Sequence, residues 1–197
     1  MSSYSSESSI TSGCSIDSYE ETPLINAILD NDFKTFELLL ENKKAINEIS
    51  DEGYNPLQIA FQYFDDDIGF KYIEKLMELK FYNLEDCILL STSNIKCFTF
   101  LKEKNINMYD YICPKTKDTL LISSCNNGNL EIVANALKNT KNIYNKNILG
   151  LNCFLATSLN PSSKNIYEIK VFLLKNTKDL INSVDSHKNN FLILLEM

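Results

Sequence analysis

The chain has 197 residues, of which 44% are hydrophobic and 23% are charged, and its formal net charge at pH 7 is -7. This composition is ordinary for a folded globular protein and excludes a collagen-like fibre, a membrane-embedded bundle and wholesale disorder. The acidic balance argues against a nucleic-acid partner, because affinity for a phosphate backbone comes largely from lysine and arginine. All 19 basic residues are lysine, and together with abundant Asn and Ile this bias indicates an AT-rich genome.

The amino-terminal segment lacks the basic stretch and apolar stretch of an export signal. No apolar run approaches the ~20 residues that a membrane span requires. The six cysteines form no C-x-x-C pair, and we interpret them as reduced thiols. These observations predict a protein of the cytoplasm, with the nucleus as an alternative, and no membrane partner.

Residues 1–19 are rich in serine and acidic residues, contain no lysine and offer little apolar surface. Because such a segment cannot offset the entropy of ordering, we expect a disordered acidic tail. Two interpretations of the tail stay open. It is either an inert solubilising leader or a phosphorylation target, for example at Ser18.

Two short helices are predicted directly after the tail. Thr22 and Pro23 are typical of a helix start, because Thr is a good N-cap and Pro suits the first helical position. A polar break over residues 30–32 ends this helix, and residues 33–40 then place their apolar side chains on one helical face. The sequence therefore predicts a helical hairpin.

The same opening returns at a regular spacing, since Asn55-Pro56-Leu57 lies 33 residues after Thr22-Pro23-Leu24. Self-similarity at such a period is the signature of a repeat protein. A pair of short helices cannot bury its apolar face alone, so consecutive pairs must stack. Related openings are expected at Thr119, Asn152 and Asn190, and a degenerate unit with two apolar helices is expected near Asp86.

This repeat unit resembles the ankyrin repeat. Thr22-Pro23-Leu24 with Ala27, and Asn55-Pro56-Leu57 with Ala60, match the opening of that family. Residues 127–133 look like its inter-helix turn and second helix. The sequence departs from the family at positions where the family has Pro or a turn Gly, namely Leu120, Cys153, Phe191 and Lys188.

The resemblance implies an all-α solenoid of stacked helix-turn-helix units with short hairpin loops. Five residues in a row, 191–195, are apolar at the start of the last unit, so we expect that the natural chain continues or that this patch promotes self-association. The repeats are expected near 20–52, 53–84, 85–117, 118–149 and 150–187, with a partial sixth at 188–197.

No constellation of residues indicates catalysis or metal binding. His187, the only histidine, lies in a predicted turn, and no Ser/His/Asp or Cys/His set can be assigned around it. The glycines form no phosphate-binding loop. Asp65-Asp66-Asp67 resembles the start of a calcium loop, but Leu76 stands where the bidentate Glu is required. We expect no enzyme, cofactor, metal or small-molecule substrate, and an enzyme with an unrecognised site is kept as an alternative.

The resemblance to ankyrin repeats implies recognition of another protein by the hairpin tips and the first-helix groove. Tyr54 and Tyr63 are the strongest candidates, because tyrosine is enriched in binding hot spots. Alignment with the family's repeat selects, as residues facing that groove, Asp51, Glu52, Tyr54, Gln62, Tyr63, Asn126 and Asn127. The same alignment places on the later hairpin tips Lys115, Thr116, Asp118, Ile148, Leu149, Leu151, Ser186 and His187.

A protein-interaction scaffold is therefore the leading hypothesis. Ile148 and Leu149 support it, since they are apolar where a polar turn is expected. The alternative is a substrate adaptor or inhibitor, similar to poxvirus ankyrin proteins that pair such an array with a carboxy-terminal ligase-recruiting box. That alternative requires a segment beyond Met197.

Overall fold

The computed structural model describes residues 22–41, 45–63, 67–160 and 165–190. The predicted tail, the residues Asp65 and Asp66, and residues 191–197 of the partial sixth repeat lie outside this part. Within the described part, regular structure is helical, apart from two isolated antiparallel bridges, Ile112 with Thr119 and Val184 with Asn190. No helix there is long and apolar enough to cross a membrane.

The α-helices come mostly in pairs along the chain. The pairs are α1 (Pro23–Leu29) with α2 (Phe33–Leu40), α3 (Pro56–Tyr63) with α4 (Asp67–Glu78), α6 (Leu120–Asn127) with α7 (Leu130–Asn139), and α8 (Cys153–Ala156) with α9 (Ile166–Asn176). The helix α5 (Ile95–Glu103) stands without an α-helical partner before it. The 3-10 turns of the described residues are Ala45–Asn47, Leu84–Cys87, Leu90–Ser93 and Lys178–Asn182.

One expectation from the sequence, the first α-helix of the third unit, is wrong. The first apolar stretch of that unit was expected to be an α-helix, and it forms the 3-10 turns Leu84–Cys87 and Leu90–Ser93 instead. Three successive hydroxyl side chains donate to carbonyls three residues earlier, at 2.7 to 3.0 Å: Ser91 to Ile88, Thr92 to Leu89 and Ser93 to Leu90. Ser and Thr have lower α-helix propensity than Ala or Leu, and three in succession weaken the α-helical form of this stretch.

The pairs stack through their first helices. α1 packs against α3, α3 packs against the 3-10 turns of the third unit, and α6 packs between those turns and α8. At the fifth position after each opening the side chain is small and buried. Close packing of neighbouring helices requires small side chains at such contacts. These residues are Ala27, Ala60, Ser91, Ser124 and Thr157.

Polar N-cap side chains cap several helix starts, as the sequence indicates, but those of Thr22 before α1 and Asn165 before α9 make no cap. Asn55 and Gln58 form a reciprocal capping pair, each accepting the other's backbone N–H at 3.0 Å. Thr22 precedes α1 but makes no side-chain cap. The Glu48 carboxylate does so in its place, accepting the N–H of Leu24 at 3.1 Å and that of Ile25 at 2.9 Å. The first helix is therefore capped from the segment that follows α2.

Four tight hairpin turns share one construction. They span residues 50–54, 113–118, 147–151 and 185–189, and in each the first backbone N–H donates to the carbonyl of the last residue at 2.8 to 3.0 Å. The next-to-last residue has a positive φ, as turns of this kind require. That residue is Gly53 (φ 85), Lys117 (φ 60), Gly150 (φ 76) or Lys188 (φ 66).

The last three turns are joined to one another by backbone hydrogen bonds. The N–H of Ile148 donates to the carbonyl of Thr116, and the N–H of Ser186 donates to that of Leu149, each at 2.9 Å. We call residues 112–119, 147–151 and 184–190 the hairpin ladder. The turn at 113–118 has one residue more than the other two, and Lys115, two residues before its positive-φ residue, corresponds to Ile148 and Ser186.

In two ladder turns, a side-chain oxygen accepts backbone N–H groups of the same turn. The Asn147 Oδ1 atom accepts the N–H groups of Leu149 and Leu151, each at 3.0 Å. Asp185 does the same 38 residues later, since its Oδ1 atom accepts the N–H groups of His187 and Asn189, each at 2.8 Å. Partial desolvation raises the pKa of the Asp185 carboxyl, but donation from Asn189 and His187 outweighs it and holds the pKa below its ordinary value.

We expect Gly150→Ala to destabilise the fold much more than Gly53→Ala. Both positions have positive φ, so alanine costs about 1 kcal/mol at either one. At Gly150 an added Cβ would also lie 2.4 Å from the backbone nitrogen of Ser186, whereas nothing lies within 4 Å at Gly53. The resulting overpacking adds roughly 1–3 kcal/mol. Urea unfolding of the two variants measures the difference, and equal losses would contradict the close approach.

We expect Asp185→Ala to expose the amides of His187 and Asn189 to hydrogen exchange, and Asp185→Asn to retain much of their protection, because Asn147 closes the equivalent turn. The depressed pKa of Asp185 means that its charge stabilises the turn above pH ~4 and that this contribution is lost as pH falls through the folded-state pKa. The difference between wild type and Asp185→Asn should therefore shrink in acid. Equal exchange in the two variants at neutral pH would show that the side chain does not close the turn.

Candidate functional site

The described residues offer surface grooves between neighbouring helices of successive units. One groove, of about 510 Å³, lies between α2 and α4, and another, of about 530 Å³, lies between α7 and α9. Their linings mix carboxylates, lysines, amides and apolar side chains, without histidine or cysteine. No group of metal-ligating side chains occurs in the part of the chain that the structure describes.

The cysteines of the helical units are core residues, as the sequence predicts. Cys87, Cys97, Cys125 and Cys153 are fully buried. Burial, with the neighbouring Asp86 and Cys97, raises the pKa of the Cys87 thiol far above its ordinary value. A thiol in this state is not a nucleophile near neutral pH.

The first hairpin tip is acidic and exposed. Asp51 and Glu52 project from the turn at residues 50–54. Tyr54 differs from the expectation of an open groove residue, because its side chain is half-buried and packs against the core. Its backbone is also fixed, since its N–H donates to the Ser50 hydroxyl at 3.1 Å. Tyr54 is thus partly structural.

The end of α3 presents two predicted groove residues to solvent. Gln62 is exposed, and Tyr63 is 56% exposed. More than half of this large aromatic residue is open to solvent, so apolar surface is available to a partner. Tyr63 is therefore a candidate contact that does not double as a packing residue.

The two predicted residues of α6 differ in exposure, since Asn127 is exposed. Asn126 is half-buried. The Asn127 amide donates to the Thr92 hydroxyl at 2.7 Å, and that hydroxyl is 2.8 Å from the hydroxyl of Ser123. Asn127 thus helps to fix α6 against the 3-10 turn Leu90–Ser93.

The predicted tip residues of the first ladder turn differ in exposure. Lys115 is exposed, whereas Thr116 and Asp118 are half-buried. The Thr116 hydroxyl accepts the N–H of Asp118 at 3.2 Å, and the Asp118 carboxylate accepts the Asn147 amide at 2.9 Å. Thr116 and Asp118 therefore stabilise the ladder, and Lys115 remains available.

The middle ladder turn carries an exposed apolar pair. Ile148 is 60% exposed and Leu149 is 47% exposed, although both backbones are held by neighbouring turns. Leu151 was expected on the same exposed tip, and this expectation is wrong, because Leu151 is only 2% exposed. It follows Gly150, where the chain turns back toward α8 and its side chain enters the interior.

Ser186 and His187 are both exposed at the last ladder turn. The Ser186 hydroxyl lies 3.3 Å from His187 Nδ1. This contact joins neighbouring residues at the surface, away from any enclosed cavity. It gives no geometry for catalysis by a histidine base.

Sequence reasoning missed two lysines of the ladder. Lys117 and Lys188 are exposed and occupy the positive-φ position that glycine holds in the other turns. The repeat spacing could have located them, since Lys117 precedes Gly150 by 33 residues and Lys188 follows it by 38. Exposed apolar residues at the base of the same turns, Ile112 and Val184, were also missed.

The fold has close counterparts among solved structures. An ankyrin repeat domain from Acinetobacter baumannii is 19% identical, with 90% of this chain and 91% of that chain covered and a TM-score of 0.60. A chain from the complex of a predatory endopeptidase of Bdellovibrio bacteriovorus with an immunity protein is 20% identical, with 89% and 91% covered and a TM-score of 0.61.

Neither a protein-family model nor a curated protein sequence matches the chain. The likeness is therefore one of fold, and it extends over nine-tenths of the chain in both counterparts. Stacked helix pairs, small residues at the stacking contacts and linked hairpin turns agree with it. The sequence prediction of an all-α solenoid is confirmed, and the chain has the ankyrin-repeat fold.

Proposed function

We propose that the protein is a non-enzymatic scaffold that binds another protein through the first-helix face and the hairpin tips. The observation that carries this proposal is the set of large exposed side chains on those two surfaces, with Tyr63 at the end of α3 and Ile148 and Leu149 on the ladder. These residues are exposed although the fold holds their backbones rigidly. An ordered surface of this kind loses little conformational entropy when a partner binds.

The fold supports the same function. Stacked repeats present an extended surface that a compact domain of equal length does not offer. One structural counterpart belongs to a complex of two proteins, an endopeptidase and an immunity protein.

We also propose that the protein works in the cytoplasm or nucleus, since buried thiols such as those of Cys87 and Cys97 suit a reducing compartment.

We expect Tyr63→Ala to reduce capture of the partner by tenfold or more while leaving the melting temperature unchanged. Removing an aromatic hot-spot residue typically costs about 2 kcal/mol of binding or more, and an exposed side chain contributes little to folding. Affinity purification from lysate with quantitative mass spectrometry measures capture.

Tyr167→Ala is the matched control, because Tyr167 is 77% exposed on α9, one of the second helices. It should leave capture unchanged. Tyr54→Ala should lower the melting temperature, since Tyr54 packs against the core. Equal capture by wild type and Tyr63→Ala would exclude the first-helix face from the binding surface.

A further inference from the structure

The hairpin ladder brings three exposed lysines to the two sides of an exposed apolar pair. Lys115 and Lys117 flank Thr116, whose carbonyl is bonded to the N–H of Ile148. Lys188 lies two residues from Ser186, whose N–H is bonded to the carbonyl of Leu149. The backbone bonds therefore hold Ile148 and Leu149 between two turns that each carry exposed lysine.

The carboxylates of the ladder are not exposed to the same degree as its lysines. Asp118 and Asp185 are half-buried and accept hydrogen bonds from Asn147 and Asn189, while Lys115, Lys117 and Lys188 are exposed. Among these charged side chains of the ladder, the exposed ones are therefore lysines, in a chain whose net charge is -7. The first tip, with Asp51 and Glu52, has the opposite sign.

Two of the lysines stand where the backbone favours glycine. Lys117 and Lys188 have φ values of 60° and 66°, and Gly53 and Gly150 hold the same position in the other turns. A side chain with a Cβ is strained in this conformation, and strained residues concentrate at functional sites. Positive φ also occurs outside the ladder, at Asn31, Lys80 and Asn105. The proposal therefore rests on the exposed charges and the apolar pair, and the strain at Lys117 and Lys188 makes glycine a suitable replacement for testing it.

We propose that the hairpin ladder binds a protein segment that carries both carboxylates and aliphatic side chains. Lys115, Lys117 and Lys188 pair with the carboxylates, and Ile148 and Leu149 cover the aliphatic side chains. The carboxylates of the segment are attracted by the lysines of the hairpin ladder and repelled by Asp51 and Glu52 of the first tip. This assignment rests on the proposed function and specifies the chemistry of the partner at one part of its surface.

The probe is a fluorescein-labelled dodecapeptide in which aspartate and leucine alternate, and fluorescence anisotropy with the full chain measures its affinity. Two control peptides replace all aspartates with lysine or all leucines with serine. We expect the aspartate–leucine peptide to bind at least tenfold more tightly than either control. Its affinity should also fall as salt rises, because exposed charges are screened.

The decisive variant is Lys117→Gly combined with Lys188→Gly. Glycine relieves the positive φ, so the melting temperature should stay equal or rise, while the loss of two charges should weaken peptide binding about tenfold. Lys34→Ala with Lys71→Ala removes the same charge from exposed helical positions and should leave peptide affinity unchanged. A stable variant that binds the peptide as wild type does would overturn the proposal.

The apolar contribution to peptide binding is tested by Ile148→Ser combined with Leu149→Ser. The control combines Leu29→Ser and Leu38→Ser, which change two exposed leucines on α1 and α2. The ladder variant should lose about tenfold in affinity for the aspartate–leucine peptide and little for the aspartate–serine peptide. Equal effects of the ladder and control pairs would contradict the proposal.

Other occupants would be recognised by three results, each of which overturns the assignment. A single-stranded oligonucleotide could bind more tightly than the peptide, or the ladder variants could abolish a dimer seen by sedimentation. Neutralising Glu7, Asp17, Glu20 and Glu21 could raise peptide affinity, which would identify the chain's own tail as the occupant. If the ladder variants leave capture from lysate intact while Tyr63→Ala abolishes it, the ladder assignment fails and the proposed function stands.

Discussion

The contact between neighbouring first helices is the constraint on which the rest of the structure depends. Each helix pair is too short to bury its own apolar face, so it is stable only when the next pair lies close to it. The small residues Ala27, Ala60, Ser91, Ser124 and Thr157 make that distance possible. The hydroxyls of Ser91, Ser124 and Thr157 are buried without loss, since each donates to the carbonyl three residues earlier. The same spacing brings successive hairpin turns close enough to share backbone hydrogen bonds.

The repeat period could be read from the sequence because it is set by this contact. A helix start, a small residue five positions later and a second apolar face are local patterns, and they locate α1, α2, α3 and α6 correctly. The third unit could not be read in the same way. Its apolar residues are at helical positions, but Ser91, Thr92 and Ser93 follow one another, and three residues of low α-helix propensity in succession weaken the α-helical form there.

The candidate surface was predicted in part. Exposure of Ile148 and Leu149 followed from finding apolar residues in a turn, whereas the burial of Leu151 depends on where the chain turns after Gly150. Tyr54 and Tyr63 have the same residue type, and only tertiary packing distinguishes them. The family resemblance placed Lys188 at a turn-glycine position without selecting it as a contact, and Lys117 was missed because a positive φ is expected of glycine and a lysine gives no local signal of it. The cap that Glu48 provides to α1 could not be predicted from local patterns either, because Glu48 lies 23 residues after Ile25 in the sequence.

The main-chain connection between tips covers only part of the chain. In the described residues it joins the turn at 113–118 to the next two turns, with Ile148 and Ser186 as donors and Thr116 and Leu149 as acceptors. The last three units are thus linked by both packed helices and main-chain bonds, while the first two are attached to them by side-chain packing and bonds such as that of Gln58 to the carbonyl of Asp86. Among the described residues, no main-chain bond joins the tip at residues 50–54 to the ladder. Helix packing and side-chain bonds therefore set the spacing between the acidic first tip and the lysines of the ladder, and a bulkier side chain at a first-helix contact such as Ala60 would change that spacing.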